Sequence, residues 1–397
     1  MCQHKVFTYM IKRVAKAVPR ELIESELRPE YVMRPTNHGG NTIYVIDAQS
    51  CPNIMREIGR LREWGFRDAG GGTGNDVDID EDDLAVDGYK QLIVWDPDAR
   101  EILGGYRFIV ATSPKQKHLS TEHYFRFSDK FRNDYLPYTI ELGRSFVHPE
   151  YQTRKYRAKG IYALDNLWDG LGTLTMIYPE AKYFFGKVTM YTQYDTKARN
   201  TLMYFLHKYF PDNEKLVDPI SPIPIEYDIP HMEEIFNSGD YKTDYKALVK
   251  ELRDRGEFIP PLINSYMSLS PSMKVFDTVT NPDFGDVEET GILITVDDIY
   301  PSKMERHTQG MEGLIAKLRY RFALATSPEN AAVRAKNRAK AEEVKKAVKA
   351  KGVERKAARA EKKATKVAAK AEKKVAKAVK KVAKTKEPNQ QEQPKSL

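Results

Sequence analysis

Glu141-Leu142-Gly143-Arg144-Ser145-Phe146-Val147-His148-Pro149-Glu150-Tyr151-Gln152 ends a strand pattern and leads into a helical one. In strand alternation Glu141 and Ser145 share one face, and Arg144 and Phe146 share the other. A glutamate and an arginine this close in an otherwise apolar strand need partners or a function if buried. Taken alone, such a pair reads first as a structural ion pair. Upstream, Gln91 to Trp95, Leu103 to Ala111 and Tyr124 to Phe131 are rich in aromatic and β-branched residues and predict strands, as does Tyr138 to His148. Asp96-Pro97-Asp98 is a hairpin turn between the first two.

Downstream, Ile161, Leu164, Leu167, Trp168 and Leu171 stripe a helix over Lys159 to Met176. A strand at Tyr183 to Tyr191 and a helix at Lys197 to Tyr209 follow. Helices near Tyr241 to Arg255 and Pro260 to Leu269 lead to strands at Met273 to Val279 and Gly291 to Asp297. Before the central stretch, Cys51 to Phe66 has helical spacing. The first forty residues read as an amphipathic helix and a turn-rich connection marked by Pro29, Pro35, Gly39 and Gly40. This order of elements predicts an α+β fold.

The 397 residues suit one large domain or two small ones, and 41% hydrophobic content supports a packed core. Met1 to Arg20 has scattered Lys and Arg and no long apolar run, so no secretory signal is expected. Cys2 and Cys51 cannot build a disulfide framework or a zinc site. A location in the cytoplasm follows, with peripheral attachment to the inner face of the membrane left open. The net charge of +8 conceals a division: Arg334 to Leu397 holds 23 Lys and Arg against 7 Glu, so the remainder carries −8. An acidic body excludes a uniformly basic nucleic-acid binder. In the tail Ala341–Lys351, Ala360–Lys370 and Ala371–Lys381 repeat with an eleven-residue period, which returns the same helical face each time. The tail reads as a solvated helical or disordered extension; contact with anionic lipid headgroups comes next, and nucleic acid third.

Two further segments carry charge or glycine. Gly70-Gly71-Gly72-Thr73-Gly74 lacks the Gly-Lys-Ser/Thr of a phosphate loop and reads as a flexible turn. Asp76, Asp78, Asp80, Glu81, Asp82 and Asp83 lack the glycine and closing glutamate of a calcium loop. No metal is expected there, and the run reads as a solvated acidic loop able to order over a substrate.

The Asp96 hairpin, Gly104-Gly105-Tyr106-Arg107 and Glu141-Leu-Gly-Arg-Ser-Phe-Val-His-Pro-Glu-Tyr151 together resemble the amino-acid N-acyltransferases that make ornithine and glycine lipids. Those belong to the acetyltransferase (GNAT) superfamily and are related to acyl-homoserine-lactone synthases. The resemblance runs from about Met55 to Ile299, and Pro261 to Leu269, Asn281 to Gly285 and Ile292 to Asp297 extend it. It implies a GNAT-like, mostly antiparallel central sheet flanked by helices over 51–325, with an N-terminal helical arm over 1–50 and the tail over 326–397. It also implies transfer of a 3-hydroxyacyl chain from acyl carrier protein, as co-substrate, to the α-amine of a small amino acid. Glycine is favoured and ornithine comes next, in aminolipid synthesis; no bound cofactor is implied.

The same resemblance supplies roles for residues. Glu141 becomes the amine-facing carboxylate, as a base through a water or as an anchor for the ammonium. Arg107 and Arg144 interlock with acidic residues, for which Asp82 and Asp87 are candidates. Arg62 and Trp64 line the acceptor side, and the backbone around Phe146 and Val147 binds the acyl carbonyl and pantetheine arm. Coenzyme-A-using relatives carry a glycine-rich loop at the helix start. Here Gln152 to Gly160 has one glycine and four cations, which suits the acidic surface of a carrier protein meeting Arg154, Lys155, Arg157 and Lys159. Gly160 remains for the pantetheine phosphate. Two rivals stay open: an acetyl-coenzyme-A-dependent acetyltransferase, and a non-enzymatic lipid- or nucleic-acid-binding protein acting through its tail.

Overall fold

The apolar alternation of the central strands assembles a single large sheet in the computed structural model, which describes residues 12–111, 119–309 and 311. The chain divides into two compact units, Met1–Ser327 and Pro328–Leu397. The expected repeats of the tail lie in the second unit; they and residues 1–11 of the expected N-terminal helix are outside the described residues.

The first unit opens with helix α1 (Arg20–Glu26) and a short hairpin of β1 (Val32–Pro35) and β2 (Thr42–Ile46). Helix α2 (Pro52–Asp68) and the four-residue α3 (Glu81–Leu84) precede the hairpin of β3 (Lys90–Asp96) and β4 (Glu101–Val110). Then come β5 (Phe125–Phe127), β6 (Thr139–Val147), α4 (Arg157–Ile177), β7 (Tyr183–Met190), α5 (Thr196–Tyr209) and β8 (Val217–Pro219). Helices α6 (Ile229–Ile235), α7 (Tyr241–Asp254) and α8 (Pro261–Met267) lead to β9 (Lys274–Asn281), β10 (Val287–Thr295) and α9 (Pro301–Thr308).

Eight strands form the main sheet in the order β1-β2-β3-β4-β6-β7-β10-β9, while β5 and β8 make a separate pair. Every neighbouring pair in the main sheet is antiparallel except β6 and β7, which run parallel. The parallel pair needs a crossover, and α4 supplies it. This is the mostly antiparallel, helix-flanked α+β sheet that the resemblance implied.

One face of the sheet carries the largest apolar cluster, where Leu167, Leu171 and Leu174 of α4 and Leu202, Phe205 and Leu206 of α5 are buried. The other face carries two clusters. One joins Ile54, Ile58 and Leu61 of α2 to Ile93, Trp95 and Ile102; the other gathers Phe125, Phe131, Phe185, Phe276 and Leu293. The strip between these two clusters is polar.

Three expectations need correction. The expected arm over 1–50 contains β1 and β2, and this hairpin pairs with β3, so residues 32–46 belong to the sheet and not to a separate arm. The strands are too short to show a period; Gly39 and Gly40, at φ of 85° and 67°, belong to the turn between them. Residues Lys12 to Pro19 form no helix, and α1 starts only at Arg20. The strand expected over Tyr124 to Phe131 is real only at Phe125–Phe127, and Phe131–Tyr135 is a π-helical turn whose Phe131 N–H donates to Ser128 Oγ. Aromatic residues that pack into a cluster read alike in both geometries.

The junction between β6 and β7 depends on a missing side chain. A Cβ on Gly186 would lie 2.6 Å from the Leu142 carbonyl oxygen. Gly186→Ala is therefore expected to destabilise the domain by about 1–3 kcal/mol, the usual cost of overpacking, read as a lowered urea midpoint with unchanged slope.

Candidate functional site

Strands β6 and β7 are paired only from Thr139–Tyr183 to Leu142–Gly186, although β6 continues to Val147. On its other side β6 stays with β4: Arg107 opposes Gly143, Gly105 opposes Phe146 and Gly104 opposes Val147, with a register shift between Gly105 and Arg107. Arg144 and Ser145 form the bulge, and Arg144 has a φ of 49°, in the left-handed region. A non-glycine residue there costs roughly 1–2 kcal/mol, and such strain concentrates at functional sites. The bulge turns β6 away from β7 and opens a fork in the sheet.

A cavity of about 470 Å³ fills the fork, lined by Leu142 to Val147 on one side and Lys187 to Thr189 on the other. Phe66 of α2, Ala69 just after it and Pro260 to Ile263 at the start of α8 close it, with Gln152 in the turn after β6 and Gly160 in the opening of α4. The volume falls within the range of small-ligand sites. Residues 143–147 have no β7 partner; the Val147 carbonyl accepts from the Gln152 side-chain amide at 2.8 Å, and the rest of that edge faces the cavity without a strand beside it.

The polar strip runs across the base of this fork. Gln91 on β3, Arg107 on β4, Glu141 on β6, Lys187 on β7 and Glu289 on β10 alternate onto one face, between the two apolar clusters. From above, α2 inserts Arg62, wholly buried, whose guanidinium donates to Asp83 at 3.1 Å and to the Gln91 side-chain oxygen at 2.5 Å. Gln91 returns a bond to Asp83 at 2.8 Å. Arg107 meets Asp80 at 2.6 Å and Asp83 at 3.5 Å, and lies 4.5 Å from the centre of the Tyr89 ring. Arg144 meets Asp78 at 2.9 Å and Asp80 at 3.7 Å. Burial alone would raise the Asp83 carboxyl, but Arg62, Arg107, the Asp80 backbone and Arg144 together hold it below its ordinary value. Burial lowers Arg62 despite Asp83, yet an arginine stays charged.

Glu141 is 1% exposed and lines the cavity. One carboxylate oxygen accepts from Ser120 Oγ at 2.9 Å and from the Thr121 N–H at 3.0 Å; the other accepts from the Tyr89 hydroxyl. Burial raises the Glu141 carboxyl, while Tyr89, Ser120 and Arg107 oppose it. Burial and Glu141 keep the Tyr89 phenol protonated, so it can donate. A carboxylate has about four acceptor sites, and three are filled.

The fork brings together Glu141, Arg107, Arg144, Phe146, Val147 and Gly160 of the sequence candidates. Arg62 and Trp64 do not line the cavity: Arg62 lies beneath it in the ion network, and Trp64 packs edge-on to His148. The acidic partners of the arginines are Asp78, Asp80 and Asp83. Asp87 is exposed, and Asp82 is half-buried with no ion pair to either arginine among the described residues. The acidic run is thus not a solvated loop, because Asp78 and Asp83 are buried as counter-charges. Nor is the glycine stretch loose, since Glu63 accepts from the N–H groups of Thr73 and Gly74. Arg154 and Lys155 precede α4, and Arg157, Lys159 and Gly160 lie in its first turn. Tyr89, Ser120, Lys187 and Glu289 had no signal of their own in the sequence: Lys187 is one charge in an aromatic strand, and Tyr89, Ser120 and Glu289 stand among other polar residues.

The acetyltransferase (GNAT) domain family matches residues 61–159, from within α2 into α4. A protein of Bacteroides thetaiotaomicron named glycine N(alpha)-acyltransferase is 52% identical over 304 residues, covering 75% of this chain and 90% of its own length. A protein of Phocaeicola vulgatus with the same name is 51% identical over 304 residues, covering 75% of this chain and 93% of its own. No solved structure matches the chain. Among the described residues no helix is long and apolar enough to cross a membrane, and no acidic, His or Cys cluster suits a metal ion.

Replacing Asp83 with Asn leaves Arg62 buried without its counter-charge, and a loss of about 3–5 kcal/mol is expected. Because the folded Asp83 carboxyl lies below its ordinary 3.8, its contribution is present above that pH and is lost as pH falls through the folded value. Melting temperatures in acid should therefore fall more steeply for wild type than for Asp83→Asn, and parallel slopes would contradict the assignment.

Proposed function

The chain belongs to the amino-acid N-acyltransferase family of the GNAT superfamily, and from that premise we propose that it transfers a long acyl chain from a carrier thioester to the amine of glycine. The observation that carries the reading is Glu141, a buried carboxylate at the base of the fork with one acceptor site left. That site suits an ammonium N–H, and the three existing bonds make Glu141 an anchor. Arg144 also lines the cavity and keeps guanidinium donors for the carboxylate of the acceptor. Glycine as acceptor follows from the names of the relatives.

A thioester is already activated, so the site has to align the amine and stabilise the oxyanion that forms. The amine nitrogen attacks the thioester carbonyl; the carbon–nitrogen bond forms, the carbon–sulfur bond breaks, and the pantetheine thiol leaves. The open backbone edge around Phe146 and Val147 is the donor set for the carbonyl oxygen and the pantetheine arm. Gly160 suits a close-packed entrance, since a Cβ there would lie 2.3 Å from the Tyr151 carbonyl oxygen. The cations at Arg154, Lys155, Arg157 and Lys159 favour an acidic carrier protein as donor. A 3-hydroxyacyl chain and a place in aminolipid synthesis complete the reading. The lysine-rich tail, outside the described residues, would hold the enzyme to anionic headgroups.

Lipid mass spectrometry of a bacterial host expressing the protein should reveal N-acylglycines. Glu141→Gln, checked for folding by its melting temperature, should lower their formation by about 10²-fold or more. Unchanged amide lipids in that variant would refute the role of Glu141, and acetylglycine as the only product would favour an acetyl-coenzyme-A donor.

A further inference from the structure

We propose that Lys187 takes the proton of the acceptor's ammonium, with the Glu289 carboxylate pairing with the charge that Lys187 acquires; this rests on the amide-forming reading of the fork. A zwitterionic acceptor must lose a proton before its nitrogen can attack, and Glu141 already holds three donors. Lys187 lies on the opposite wall of the same cavity, two residues past Phe185 on β7. Its amine touches the Glu289 carboxylate, and Glu289 is fixed by the Asn281 side-chain amide at 2.9 Å. The Lys187 amine also lies 4.5 Å from the centre of the Tyr124 ring.

The charges that bear on Lys187 come from every side of the fork. Burial first, then Arg144 and Arg107, hold it well below the usual lysine value, against Glu141 and Asp78. Glu289 adds a counter-charge in direct contact. A lysine shifted in this way is suited to act as a base.

The step balances in protons. The Lys187 amine takes one proton from the ammonium and becomes an ammonium itself, paired with Glu289. The freed nitrogen attacks the thioester, and its second proton goes to the departing thiolate. Lys187 then returns its proton to water, so each amide releases one thiol and one proton.

The test uses the purified full-length protein with glycine and a long-chain acyl carrier-protein thioester, from about pH 6 to 10. Lys187→Gln removes the base, whereas Lys187→Arg fixes a positive charge there and cannot accept a proton. Both should lower kcat by about 10²-fold or more with the KM for glycine little changed. The deficit should shrink as pH rises and glycine's own amine loses its proton. Glu289→Gln, which leaves Lys187 without its counter-charge, should move the acid limb of kcat to lower pH, and it provides a second reading if the Lys187 variants do not fold. Wild-type kcat in Lys187→Arg, a deficit constant with pH, or an unmoved limb in Glu289→Gln would each overturn the proposal. A raised KM alone would assign Lys187 to holding the acceptor's carboxylate. Wild type that acylates no amine would overturn the transfer reading itself, and this assignment with it.

Discussion

The ion network that joins Arg62, Asp83 and Arg107 is the constraint on which the site depends. It links α2, α3 and β4, and extends through the Tyr89 ring and hydroxyl to Glu141. Burying a charge without a partner costs several kcal/mol, and a buried ion pair contributes little beyond offsetting that cost. The network is therefore poorly explained as a source of stability. What it provides is position: each arginine has directional bonds to fixed carboxylates, so α2 and the 76–83 segment can sit over the sheet in one way only. The two apolar clusters on either side exclude water from it.

The fork converts that rigidity into a reaction site. A bulge at Arg144 separates β6 from β7, and the ion pairs of Arg144 with Asp78 and Asp80 hold a backbone conformation that the residue would otherwise avoid. The same aspartates thus serve two ends, compensating the buried arginines and stabilising the bulge. The cavity that results has a polar base and an open backbone edge along one wall. On the proposed reading, an amine and a thioester brought there would meet fixed dipoles, the condition under which preorganised groups contribute most to rate.

Much of this was legible in the sequence, for identifiable reasons. The long strands and α4 carry enough apolar residues at period two or near 3.6 to be recognised alone. Glu141 and Arg144 stood out because charge is costly in an apolar strand. The pairing of charges was not legible, because Asp78 and Asp83 lie far along the chain from their partners and an acidic run normally faces water. Arg62 and Trp64, placed by resemblance at the acceptor side, follow α2 instead and turn beneath and beside the cavity. Lys187 was hidden by its neighbours, since Phe184-Phe185-Gly186-Lys187-Val188 predicts a strand and does not say what faces its one charge. Only the neighbouring strand β10, which brings Glu289, reveals it as internal.

Direct transfer, in which an amine held at the base of the fork attacks a thioester lying along its open edge, is the step that the proposed function requires. Quantifying free carrier thiol and N-acylglycine together in a rapid-mixing experiment with purified protein tests it most directly. Direct transfer requires equal amounts at every time, no thiol released until glycine is added, and no acyl group left on the protein after denaturation. A burst of thiol without glycine, with the acyl chain recovered on the protein, would contradict it and point to Ser120 or Ser145 as a nucleophile.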